Sequence, residues 1–207
     1  MRAVLCSAFT GPEDLRVGEV EEPVPAADEI LIEVHAASVS FMDHLMVSGL
    51  YQMRPPTPFV PGTEAAGIVV AVGANVTRFQ PGDRVACGSW TGGYAERMVA
   101  RESKCVLLPP GVAFETAATV WHNYGTAYYA LVERARAQPG ETVFVTGAAG
   151  GVGLAAVDLA DAQVRRPGEC AAQNRSHRGA PTDRGGSRIS AGRLPKMRGN
   201  SMGTRWR

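Results

Sequence analysis

Seven short apolar runs, each ten residues or fewer and each closed by turn chemistry, fill the first 108 positions and restrict them to a β-rich fold: Arg2–Ala8, Leu15–Val20, Glu29–Ser38, Ala66–Val72, Asp83–Gly88, Tyr94–Val99 and Lys104–Leu108. Pro23, Pro25, Pro61-Gly62, Gly73-Ala74-Asn75 and Pro81-Gly82-Asp83 supply the interruptions. Period-two alternation puts Ile30, Ile32 and Val34 on one strand face and Glu33 and His35 on the other. Many short strands with such turns predict a small barrel or sandwich.

One segment departs from this rhythm. Phe41–Val47 places Phe41, Leu45 and Met46 on a common helical face and stops at Gly49, which predicts a short helix on the barrel. After Pro109-Pro110-Gly111 the pattern changes again: Glu115–Val120 and Thr126–Ala135 read as helices, and Thr142–Val145 reads as a buried strand. That strand runs into Gly147-Ala148-Ala149-Gly150-Gly151-Val152-Gly153 and a second apolar helix, so an α/β unit follows the β-rich part. The expected division is a barrel over residues 1–110, connecting helices with a first β-α unit over 111–164, and a tail over 165–207.

The glycines at 147, 150 and 153 recur every third residue between strand and helix. Without a Cβ they permit positive φ in the turn, close approach of a pyrophosphate to backbone N–H groups, and tight packing of helix on strand. The helix N-terminus adds free donors and a favourable dipole. A glycine trio alone is weak evidence, but with a strand before it and a helix after it the reading is a dinucleotide's phosphate cradle.

Charge splits the chain. Residues 1–160 hold 10 basic and 17 acidic side chains, a net of −7, and residues 161–207 hold 11 basic and 3 acidic, a net of +8; the overall +1 describes neither part. The tail lacks apolar periodicity and is disorder-like by composition. Pro167 is expected to end the last helix, and Arg175 and Arg178, though near the distance where a 2′-phosphate could be read, follow no apolar run that would present them on a strand. One hypothesis is that the tail is translated out of frame, in which case another frame past codon 160 continues the cofactor domain. The four cysteines have no Cys-x-x-Cys spacing and read as buried reduced thiols. The N-terminus enters a strand directly, with no apolar core of signal-peptide or membrane-span length, so a cytoplasmic protein without a membrane partner is expected.

Val60-Pro61-Gly62-Thr63-Glu64-Ala65-Ala66-Gly67, Pro81-Gly82-Asp83-Arg84-Val85, Gly92-Gly93-Tyr94-Ala95-Glu96, Tyr124-Gly125-Thr126-Ala127-Tyr128 and the glycine turn occur in that order. In this the chain resembles the medium-chain dehydrogenases/reductases over residues 1–160, and within them the zinc-free quinone oxidoreductase (zeta-crystallin-like) branch. The resemblance implies a chaperonin-10-like (GroES-like) β-barrel followed by the start of a Rossmann domain, NADPH as cofactor, and hydride transfer to a quinone or electron-poor enone. By the same resemblance Thr126 lies beside the nicotinamide, Gly147, Gly150, Gly151, Val152 and Gly153 hold the pyrophosphate, and Ser40 and Tyr51 line the substrate cleft. Relatives often have asparagine in place of Ser40 and tyrosine in place of Leu45. Zinc-dependent relatives carry their ligands where this chain has Ser40, Thr63 and His122, and two hydroxyls with one imidazole make a poor zinc site, so no metal is expected.

The resemblance leaves the chain incomplete as an enzyme and implies weak or absent activity, with a homodimer only if the cofactor domain were whole. Several residues have two readings. Tyr51 donates to a reduced quinone oxygen or simply packs; Trp90 is a cleft wall or a loop anchor; His122-Asn123 approaches substrate or supports the interdomain helix. Asp43 and Glu64 are expected to be structural, pairing with an arginine, and His35 and His44 to face solvent. Two other functions stay open: a reductase of another substrate such as an enoyl thioester, and a non-catalytic module whose basic tail binds nucleic acid. The tail's single aromatic, Trp206, and its lack of a reading element argue against the latter.

Overall fold

The computed structural model describes residues 1–164. Its centre is a curled, fully antiparallel sheet of five strands in the order β6-β3-β4-β5-β7. These are β3 (Glu29–Ala37), β4 (Glu64–Val72), β5 (Arg84–Gly88), β6 (Arg97–Arg101) and β7 (Cys105–Leu107). A separate pair, β1 (Arg2–Leu5) and β2 (Arg16–Glu19), is stitched to the rest by bridges Ala3 to Ala95 and Cys6 to Phe59. The curl has a local cause. The β3/β4 register shifts between Leu31 and Ile32 and again between Val34 and Ala36, and such irregularities bend the strand and increase its twist.

The inner face buries Ile30, Ile32, Val69, Val85, Cys87 and Met98, the alternation read for β3 having put its isoleucines inward. Each large side chain so buried stabilises the fold by about 1.5–3 kcal/mol. Helix α1 (Phe41–Val47) has the expected bounds, but its buried residues are Asp43, Met46 and Val47. Phe41 is exposed, contrary to the shared apolar face expected for it, because the helix turns the side carrying Asp43, Met46 and Val47 to the barrel.

The strands are shorter than their apolar runs at most ends, and β6 begins at Arg97 instead of Tyr94. The backbone of Tyr94 is engaged elsewhere: its N–H donates to Pro61 O at 2.9 Å and its carbonyl accepts from Val4 N–H at 2.8 Å. The connecting helices also fall earlier than expected, α2 at Phe114–Ala117 and α3 at Val120–Tyr128, with a π-helical stretch at Tyr129–Arg134 ahead of α4 (Gly151–Val164).

The largest correction concerns Thr142–Val145, which is not a strand. A parallel strand takes its hydrogen bonds from neighbours, and no described strand lies beside this one. Phe144 is accordingly 82% exposed. The basic tail from residue 165, with Cys170, Arg175, Arg178 and Trp206, lies outside the described residues.

Candidate functional site

Where β3 leaves the sheet, Ser40 caps α1 in a reciprocal box. Its Oγ accepts from Asp43 N–H at 3.3 Å, while Asp43 Oδ2 accepts from Ser40 N–H at 2.9 Å and from Ser40 Oγ at 2.6 Å. Asp43 is almost fully buried, and no arginine among the described residues pairs with it. Beside it Tyr94 donates its phenol proton to Ser38 O at 2.9 Å. Burial, then the Asp43 and Glu64 carboxylates, pushes that phenol well above the usual tyrosine range.

A raised acid pKa in the folded state means that the unfolded chain loses its proton first. The stability contributed by the Tyr94 hydroxyl is complete below about pH 10, the unfolded value, and declines as pH rises toward the higher folded value. Urea melts at stepped alkaline pH are expected to show the stability advantage of wild type over Tyr94→Phe shrinking above about pH 10. A constant difference would mean that the phenol is unperturbed.

Glu64, at the start of β4 and 1% exposed, also lacks the arginine expected for it. Its Oε2 accepts the backbone N–H of His122 at 2.7 Å, and His122 Nε2 lies 3.2 Å from Thr63 O. Helix α3 is thereby fixed to the sheet. The next residue, Asn123, rests its amide so closely on Gly151 that a Cβ there would stand 2.8 Å from Asn123 Oδ1. The residue after that, Tyr124, donates to Asp158 Oδ2 of α4 at 2.6 Å. Thr126 is exposed, one turn further along the face of α3 that Asn123 occupies.

The glycine turn folds even without its strand. Gly147 takes φ 66°, Gly150 N–H closes on Gly147 O at 3.0 Å, and Leu154 N–H on Gly150 O at 2.8 Å starts the helix. At Gly153 a Cβ would meet Gly147 O at 2.1 Å, so the turn is this tight only with glycine there. Gly147, Gly150, Gly151 and Val152 are exposed at the head of α4, whose first-turn N–H groups have no intrahelical acceptor. The cradle thus suits a diphosphate in sterics and in polarity.

A cleft of about 810 Å³ runs beside β6 and is lined among others by Val60, Ser89, Trp90, Thr91, Trp121 and His122. It brings Trp90 together with His122, but Ser40 and Tyr51 are not among its lining residues. They stand at opposite ends of α1, and Tyr51 N–H donates to Leu45 O at 3.1 Å. His44 and His35 are both exposed as expected, His35 with one side of its ring toward Phe114, centroids 4.6 Å apart. Ser40, Thr63 and His122 present two hydroxyls and one imidazole, and no group of three His, Cys, Asp or Glu among the described residues could hold a metal ion. The roles of Asp43 and Tyr94 were missed from sequence; the Ser40-x-x-Asp43 spacing was the signal available for the first.

An antiparallel barrel tied by a helix to a glycine turn has the layout of a dehydrogenase/reductase of the medium-chain class. Residues 26–110 match the alcohol dehydrogenase GroES-like domain. Human quinone oxidoreductase is 42% identical over 164 residues, which cover 78% of this chain and 50% of that protein. The crystal structure of Escherichia coli quinone oxidoreductase complexed with NADPH superposes with a TM-score of 0.72 at 36% identity, over 80% of this chain and 51% of that one. CurK enoyl reductase gives a TM-score of 0.72 at 31% identity, over 79% and 52% respectively. The chain thus carries an alcohol dehydrogenase GroES-like domain, is similar over 78% of its length to quinone oxidoreductases, and spans about half the length of the curated relatives it matches. Among the described residues no helix is long and apolar enough to cross a membrane.

Proposed function

We propose that this chain carries the barrel and cofactor-gripping turn of a zinc-independent, NADPH-dependent oxidoreductase of the cytoplasm that passes hydride to a quinone or an electron-poor enone. The observation that carries the reading is the glycine cradle: the likeness to quinone oxidoreductases extends through it, and its backbone geometry suits a diphosphate. When bound, the nicotinamide supplies the hydride. The chain's own residues bind, orient and exclude water. Gly147, Gly151, Val152 and Gly153 offer N–H groups to the diphosphate, Gly150 closes the turn that presents them, and Thr126 stands near the nicotinamide end. Ser40 and Tyr51 line the approach of the acceptor. Zinc independence is supported by the donor set, since the Ser40 hydroxyl is already held by Asp43. The partners implied are the small acceptor and, for a whole cofactor domain, a second copy of the chain.

The likeness to CurK enoyl reductase favours an enoyl thioester as the second reading of the acceptor. Titrating NADPH into the chain and following nucleotide fluorescence is expected to give a saturable change that Gly153→Ala weakens at least about tenfold, the alanine being unable to fit the turn. No saturable change, or equal affinity in the variant, would overturn the cradle. Comparing NADPH oxidation with 1,4-benzoquinone and with crotonyl-coenzyme A separates the two acceptors.

A further inference from the structure

β7 forms one edge of the sheet against β5, and the register sets Cys87 opposite Cys105. The ladder also identifies the kind of pair. Leu108 N–H donates to Arg84 O at 2.9 Å, so Arg84 and Leu108 are a hydrogen-bonded pair. Pair types alternate along an antiparallel ladder, which makes Ala86/Val106 hydrogen-bonded and Cys87/Cys105 non-hydrogen-bonded. Partners of the latter type have Cα atoms about 4.5 Å apart and their side chains close together, within the range of roughly 4.4–6.8 Å that a disulfide bridges.

Both thiols are free and buried. They meet in a pocket of sulfur: the Cys87 thiol has Cys105 as a hydrogen-bonding neighbour and Met98 Sδ at 3.7 Å. Cys105 Sγ also donates to Arg101 O at 3.2 Å. Access comes from the edge. β7 has three residues, no described strand pairs with its outer side, and Val106 and Leu107 are already 43% and 55% exposed. So short an edge strand belongs to the part of a fold that opens at low cost.

We infer that Cys87 and Cys105 are a latent cross-strand dithiol that a low-molecular-weight disulfide oxidises to an intramolecular disulfide when β7 lifts from the sheet. Cys105, as thiolate, attacks one sulfur of the reagent; a mixed disulfide forms and the first reagent thiolate leaves. Cys87, as thiolate, attacks the Cys105 sulfur, closes the cross-strand bond and expels the second. The cysteine pair gives up two electrons, the reagent disulfide takes them, and the two thiol protons end on the two reagent thiols. The hydrogen bond with the Cys105 thiol, and then burial, hold Cys87 above the ordinary thiol range, so the closed strand protects the pair and oxidation follows opening. The bond would fasten β7, and with it the Leu108–Gly111 turn leading to α2, to the body of the sheet.

The full chain incubated with oxidised glutathione, trapped by alkylation and mapped by mass spectrometry without reduction, is expected to yield one peptide pair joined through Cys87 and Cys105 and lighter by two hydrogen atoms. Mild urea below the unfolding transition should accelerate the reaction at least about threefold, since it promotes opening. In Cys87→Ala the glutathione is expected to remain on Cys105. Free thiols at both positions after prolonged exposure, a link to Cys6 or Cys170 instead, or glutathione left on either cysteine of wild type would overturn the inference. The wild-type map decides alone if the variant does not fold.

Discussion

Gly67→Ala is expected to destabilise the protein by about 3 kcal/mol or more and to lower its Tm by about 10 °C. Gly67 lies in the middle of β4, opposite Val34 on one side and Val85 on the other. A Cβ there would stand 1.9 Å from Glu33 O and 2.9 Å from Glu33 C, where the β3/β4 register is about to shift. Overpacking against side chains costs about 1–3 kcal/mol because rotamers give way. The obstacle here is main chain in the central pair of strands, so β3 itself must move and the ladder on both sides of it must loosen. Gly125→Ala in α3 is the control: nothing lies within 4 Å of its Cβ position, and alanine in an exposed helix is expected to stabilise by up to about 1 kcal/mol. Thermal melts of the two variants should move in opposite directions. A Gly67→Ala protein melting with wild type would mean that the two strands are not this close.

Asp43→Ala is expected to cost about 2–3 kcal/mol, more than the roughly 1 kcal/mol of an ordinary lost cap. The carboxylate accepts both donors of Ser40 in a buried site, so its removal leaves an amide and a hydroxyl without their acceptor. Asp43→Asn retains an acceptor oxygen and should lose about half as much. The two variants also differ from wild type in a second observable. Asp43 is one of the charges that hold the Tyr94 phenol high, so both should bring the Tyr94 titration down toward the normal range, in ultraviolet absorbance, whatever their stability. Loss of stability with an unmoved Tyr94 would sever the proposed network. Because Ser40 is also a proposed substrate contact, loosening it should blur acceptor selectivity without touching the glycine cradle.

Legibility in the sequence tracked the range of the forces involved. The bounds of helix α1 were readable because its helical spacing and its stop, Gly49, are local in the chain, although the Ser40-x-x-Asp43 cap went unread. The inward face of β3 was readable from alternation alone. Thr142–Val145 was misread for the opposite reason: its composition suits a strand, but strand identity depends on a hydrogen-bonding partner, and no described residue provides one. The start of β6 was misplaced because Tyr94 is held by Pro61 and Val4, contacts that no local pattern announces. Of the site, the glycine turn was visible as a motif. The expected arginine partners of Asp43 and Glu64 were not found, since what those carboxylates bind is a helix cap and, 58 residues away, the amide of His122. The facing of Cys87 and Cys105 required knowing that β5 and β7 are neighbours, which spacing cannot reveal.

His122, Asn123 and Tyr124 are consecutive, and each grips something different: the edge of the barrel, the glycine turn and α4. Successive helix positions are rotated by about 100°, so the three grips are spread over roughly 200° of the circumference of α3. A rod clamped from that many directions cannot roll. Inserting or deleting a single residue ahead of His122 would break its hold on Glu64 and Thr63, while the grips of Asn123 on Gly151 and Tyr124 on Asp158 would travel together with α3 and α4. The distance between phosphate cradle and barrel is in this sense a fixed gauge, written in three adjacent codons.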